Sequence, residues 1–294
     1  MRSGSGRRLN KRAALAAGAV LAAAIAVAAT ELPAGAEAPN AATFTDDFDG
    51  AAGCAPDAGK WIHEIGDNGG NNHELEYYTD STSNAALDGN GDLVITARQE
   101  NPAGYTCWYG TCQYTSARLN TSQSFTQAYG HFEARMKIPA GQGLWPAFWL
   151  LGDNINDAGW PNCGELDVME NIGSEPGTVH GSAHGPGYSG GSDLTGSYTL
   201  PNGAAFADDF HTFAIDWSPD SVSWSVDGTV YETHTPADTN GNQWVFDHPF
   251  FIILNLAVGG DWPGSPDSST QFPAQLVVDY VHVSASDSAS AVRR

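Results

Sequence analysis

His131-Phe132-Glu133-Ala134-Arg135-Met136-Lys137-Ile138 alternates polar and apolar residues and is stopped by Pro139. Successive side chains of an extended chain point to opposite faces. Phe132, Ala134, Met136 and Ile138 therefore share one face, and the pattern reads as a half-buried strand. The same period recurs outward from it. Residues 211–217 bring Phe213, Ile215 and Trp217 together, and Ser218-Pro219-Asp220 makes a turn. Val222, Trp224 and Val226 alternate next, and Asp227-Gly228 is a hairpin signal. Residues 250–258 form a longer apolar strand and 276–283 a last one. Between these runs lie clusters of Gly, Pro, Asn and Asp, with no internal repeat. No sustained helical period follows the N-terminal leader. This is the pattern of an all-β chain, a many-stranded β-sandwich whose curved jelly roll would present one concave face as a cleft.

The N-terminus reads differently. Arg2, Arg7, Arg8, Lys11 and Arg12 precede an Ala/Val/Leu run, and Ala34-Gly35-Ala36 offers a small-residue cleavage site. Residues 1–36 are expected to be a secretory signal peptide, 37–42 a short linker, 43–284 a single domain and 285–294 a frayed tail. The protein is then secreted and extracellular, with no membrane attachment once the leader is removed, and a monomer.

The whole chain carries 12 Lys+Arg against 34 Asp+Glu, a formal charge of −22. The leader holds five of the former and only Glu31 of the latter, so the remainder has 7 basic and 33 acidic residues, a net −26. Such a surface repels phosphate backbones and disfavours nucleic acid and anionic polysaccharides. A neutral polymer is the better partner. With nine Trp, ten Tyr and twelve Phe, some aromatic faces are available to stack on sugar rings, although most belong to the core.

Cys107 and Cys112 bracket a four-residue segment short enough to close a hairpin, and are expected to pair. By elimination Cys54 would meet Cys163. Metal-ligand spacing is absent among the cysteines.

The chemistry concentrates in Gly164-Glu165-Leu166-Asp167-Val168-Met169-Glu170-Asn171. In a regular strand Glu165 and Asp167 share one face, while Glu170 falls on the apolar side, where an unpaired carboxylate is very costly. One extra residue, a β-bulge near Val168-Met169, returns Glu170 to the face of the other two. Three acids gathered on one face repel one another, and adjacent carboxyls split their pKa values. That suits a retaining glycosidase, whose two carboxyls stand roughly 5–5.5 Å apart. Glu165 would be nucleophile, Glu170 general acid/base and Asp167 the partner between them. Three carboxylates also suit calcium; the residue chemistry alone leaves both readings open. Leu166, Val168 and Met169, however, look like strand core rather than a cation loop.

The segment Glu-Leu-Asp-Val-Met-Glu resembles the signature of glycoside hydrolase family 16, in the bulged form of its laminarinases. Residues 143–151, Trp160-Pro161, 180–188, 251–263 and Asn71-Asn72-His73-Glu74 are similar to other segments of that family, so the resemblance spans about residues 43–283. It implies a concanavalin-like jelly roll and an endo-β-1,3-glucanase acting on neutral β-glucan through a covalent intermediate. Mixed-linkage or other β-glycan hydrolysis, transglycosylation and a non-catalytic β-glucan-binding role are the alternatives. Carried over residue by residue, it implies sugar contacts from Trp145, Trp149, Trp160, Arg118, Asn72, His184, Asn255 and Trp262. No cofactor is needed for the chemistry. A structural calcium is implied at Asp47, Gly91 and Asp279, away from the cleft. Two departures stand out: Cys163 precedes Gly164, and Gly69-Gly70 replaces the place where relatives often carry a tryptophan.

Overall fold

A computed structural model describes residues 42–285. The proposed leader, most of the linker and most of the tail lie outside the described residues. Two antiparallel sheets pack face to face. The eight-stranded sheet runs Thr229–His234, Ser221–Val226, His211–Ser218, Gly130–Lys137, Ala274–Ser284, Leu93–Ala97, Ala85–Leu87, with Ala42–Asp46 also paired to Ala274–Ser284. The seven-stranded sheet runs Leu194–Thr199, Thr178–His184, Glu165–Glu170, Leu144–Gly152, Phe250–Val258, Arg118–Asn120, Ile62–Glu64. Neighbours in space are often far apart in sequence, as in a jelly-roll β-sandwich.

The core lies between the sheets and follows the two-residue period. Along Gly130–Lys137 burial alternates strictly, with Phe132, Ala134 and Met136 inside. Phe213, Ile215 and Trp217 join them, as do Val222, Trp224 and Val226. Asp227 and Gly228 both take positive φ, 49° and 74°, which is what a two-residue hairpin turn between right-twisted strands requires. Phe250–Val258 is buried at all nine positions. Its even-numbered residues face the core, while Asn255 and Ala257 form part of a groove on the opposite face of the sheet.

The disulfide between Cys107 and Cys112 is formed. The expected pairing of Cys54 with Cys163 is not: both are free, Cys54 exposed and Cys163 buried. The Leu87 N–H donates to the Cys54 carbonyl and the Gly53 N–H to the Leu87 carbonyl, which fixes Cys54 beside the edge of the eight-stranded sheet. Cys163 enters the seven-stranded one beside Glu165. An even cysteine count carries no information about layers, and these two belong to different ones.

Candidate active site

The Glu165–Glu170 strand carries the expected bulge. Against Leu144–Gly152, Trp149 faces Asp167 and Phe148 faces Met169, leaving Val168 as the extra residue. The register on the other side shifts over the same interval, with Asp167 opposite Ser182 and Glu170 opposite His180. Leu166, Val168 and Met169 all enter the core, and Glu165, Asp167 and Glu170 all line the groove. Trp224 crosses from the other sheet and donates its indole N–H to the Asp167 carbonyl at 2.7 Å. Leaving that buried carbonyl unpaired would cost about 1–3 kcal/mol. Gly181 makes room for the ring, since a Cβ there would sit 2.4 Å from it.

The acids are held by specific partners. Trp145 donates to Glu170 Oε1 at 2.9 Å. His184 Nε2 lies 2.9 Å from Asp167 Oδ2 and 3.8 Å from Glu165 Oε1. Burial, and then the Asp167 charge, pushes Glu165 up to about 8, against the opposing pull of His184, Arg118 and the Trp160 indole. Burial, and then the same Asp167 charge, raises Glu170 well above the usual carboxyl range. Asp167 is itself raised by burial, with Asp193 adding to it. The cluster therefore resists carrying three charges and retains protons to higher pH than ordinary carboxyls. One ligand atom each from Glu165, Asp167 and His184 lies within 4.8 Å of the others. An imidazole in the set argues against calcium there, because that ion takes oxygen donors.

The groove, about 440 Å³, runs from the acids to the loop Asn68–His73. Trp145, Ala147 and Trp149 share its floor. Trp149 donates to Asn255 Oδ1 at 2.8 Å, and the Arg118 guanidinium stacks on its ring at 4.6 Å. Arg118 also pairs with Glu64 at 2.9 Å while lining the groove. Asn72 lines the groove and bonds Glu74. Trp160 lines it with half its surface exposed. Trp262 packs edge-on against Trp145 at 5.5 Å and against His180 at 5.1 Å, at the flank. His184 reaches the site through the acids.

Three groove residues, and a histidine beside the acid strand, were given no role from the sequence. Glu74, Asn68 and Asn71 line the groove from the loop, and His180 stands opposite Glu170. The Asn71-Asn72-His73-Glu74 run was the available signal for the loop group. For His180 it was the spacing of His180 and His184, which share a strand with one side chain beside each end of the acid strand.

Asp47, Gly91 and Asp279 lie on or beside strands of the eight-stranded sheet, in the other layer. A Cβ on Gly91 would lie 3.7 Å from the Asp47 carbonyl, and the Asp279 charge contributes to raising Asp92. The Asp279 carboxylate pairs with Arg135 and that of Asp47 with His282. Backbone carbonyls and a carboxylate are oxygen donors of the kind calcium takes, although the Asp279 carboxylate already pairs with Arg135.

A jelly roll whose bulged strand sets carboxyls in an aromatic-floored groove is the architecture of a polysaccharide-cleaving enzyme. Residues 73–282 match the model of glycosyl hydrolases family 16. A β-glucanase of Rhodothermus marinus is 40% identical over 250 residues, 82% of this chain and 83% of that protein. The laminarinase catalytic domain of Thermotoga maritima superposes with a TM-score of 0.78 at 47% identity, over 84% of this chain and 98% of that one. An endo-β-1,3-glucanase of Pyrococcus furiosus gives 0.77 at 49% identity, over 83% and 94%. The chain belongs to glycosyl hydrolase family 16 and is a glycoside hydrolase.

Proposed function

We propose that this glycoside hydrolase is an exported endo-β-1,3-glucanase that cleaves laminarin-type glucan with retention of configuration. The observation that carries the reading is the bulge at Val168, which puts Glu165, Asp167 and Glu170 on one face of a groove with an aromatic floor. The names of the similar enzymes and the uncharged nature of such a glucan, which suits a strongly acidic chain, support it.

In the first step the Glu165 carboxylate attacks the anomeric carbon, while Glu170 gives its proton to the departing glycosidic oxygen. A covalent glycosyl–Glu165 ester results. In the second step Glu170, now ionised, takes a proton from water, and the resulting hydroxide displaces Glu165. Two inversions leave the β configuration unchanged. Asp167, with His184 Nε2 2.9 Å from its Oδ2, is the middle partner whose protonation sets how readily Glu165 ionises. Trp145 orients Glu170 through its indole N–H. Trp145, Trp160 and Trp262 offer faces for sugar stacking, and Asn72, Asn255 and Arg118 offer hydrogen bonds. Digests of laminarin, curdlan, lichenan and agarose test the substrate. Laminarin and curdlan should release short β-1,3-linked oligosaccharides fastest; preferential cleavage of agarose would reject the reading.

The same proposal places a stabilising calcium at the Asp47 and Gly91 carbonyls and the Asp279 carboxylate, remote from the reaction. Added calcium should raise the melting temperature by several degrees and a chelator should reverse it. In Asp279→Asn the calcium-dependent difference should vanish. A melting temperature indifferent to calcium in the unsubstituted protein would remove the site.

A further inference from the structure

The loop that forms one end of the groove is an unlikely structure to persist by itself. Asn68, Gly69, Gly70, Asn72 and His73 all have φ between 51° and 77°. None of the residues Asn68–His73 is buried. Three of the five are not glycine, and left-handed backbone at such residues costs free energy that the surroundings must offset.

Those surroundings are largely one hairpin. The strands Thr106–Cys107 and Gly110–Thr111 are two residues each, too short to hold together unaided. The Cys107–Cys112 disulfide closes them. From this closed hairpin the Trp108 backbone N–H donates to Asp67 Oδ2, just before the loop. The Trp108 indole N–H donates to the Glu74 carbonyl, just after it, at 2.6 Å. The Tyr109 hydroxyl donates to the Leu75 carbonyl at 2.6 Å. The Trp108 ring lies directly on Gly70, where a Cβ would come within 2.8 Å of it. His73 packs against the same ring at 5.0 Å. On the far side Asp261 donates its N–H to the Asn72 carbonyl at 2.7 Å and its carboxylate meets His73 at 3.0 Å. Trp108 meanwhile is 45% exposed and lies outside the core cluster, so core packing does not account for it.

We propose that the disulfide-closed hairpin is a clamp, with Trp108 a positioning residue that fixes both ends of the loop and so sets Asn68, Asn71 and Asn72 for binding the glucan chain. The proposal rests on the glucanase reading above. It makes substrate affinity, and not the chemical step, depend on one disulfide. Cys54 and Cys163 are free, so a mild reductant acts on this bond alone among the described cysteines.

The test is steady-state kinetics on laminarin with the oxidised protein, the protein treated with dithiothreitol, Cys107→Ser/Cys112→Ser, Trp108→Ala and Gly70→Ala. Each perturbation should raise KM about tenfold, the size of one or two lost positioned hydrogen bonds, with kcat within about twofold. Reductant should have no further effect on the double cysteine variant, and reoxidation should restore the unsubstituted protein. Trp108→Phe, which keeps the ring over Gly70 and loses the indole donor, should fall between. An unmoved KM in reduced protein and in Trp108→Ala would overturn the clamp, as would parallel collapse of kcat and melting temperature in every variant. Inactivity of the oxidised, unsubstituted protein on laminarin would instead sink the glucanase reading.

Discussion

Glu165→Gln is expected to lower laminarin hydrolysis by roughly 10³-fold or more, because an amide cannot form the glycosyl ester on which both steps depend. The same substitution should stabilise the fold at alkaline pH. The folded protein holds Glu165 at about 8, far above its value in an unfolded chain. A carboxyl raised in this way favours the folded state only while it is protonated. Relative to the unfolded chain its contribution is fully present below the unfolded pKa, near 4.5, and is lost as pH rises through about 8. Glutamine does not titrate, so the variant should melt higher than the parent at pH 9, with the gap closing toward pH 4. Calorimetry at the two pH values checks this. Equal melting temperatures at pH 9 would mean that Glu165 is not held in a repelling, desolvated cluster.

Glu170→Gln should behave differently although it lies on the same strand. Loss of general acid–base catalysis costs roughly 10²–10⁴-fold when the leaving group is a sugar hydroxyl. An aryl leaving group departs without a proton, so aryl β-glucosides of short oligosaccharides should form the intermediate at nearly the normal rate and then stall. Azide, an anion that needs no general base, should restore turnover and yield a β-glycosyl azide. The alkaline limb of kcat/KM, which follows loss of the Glu170 proton, should disappear in this variant. Equal damage on aryl and polymeric substrates, with no azide rescue, would remove Glu170 from the acid/base role.

Much of this was legible in the sequence because the signals are local. Phe132, Ala134 and Met136 report their own strand through a period of two. Asp227-Gly228 reports its own turn. The bulge was legible for a less direct reason: without it Glu170 would be a carboxylate in the core, and the side-chain parity of Glu165, Asp167 and Glu170 could be reconciled only by one extra residue. Trp145 and Trp149 on the groove floor were indicated by the resemblance to the family. What escaped depends on contacts between distant segments. Pairing Cys54 with Cys163 by elimination could not register that they enter different sheets. The Trp224 bond to the Asp167 carbonyl crosses the core and has no trace in either strand's pattern. Trp108 looked like one aromatic among many in a short hairpin, and only the approach of that hairpin to Gly70 and Glu74 gives it a function. Glu74 and Asn71 sit in a run of polar residues that reads equally well as an ordinary turn.

The most direct test of the bulged acid strand is the configuration of the first product. Proton NMR during hydrolysis of a β-1,3-gluco-oligosaccharide, sampled faster than mutarotation, should show the β anomer of the new reducing end first and the α anomer only later. If the α anomer appears first, Glu165 and Glu170 stand too far apart for a covalent intermediate, and the mechanism built on their convergence is wrong.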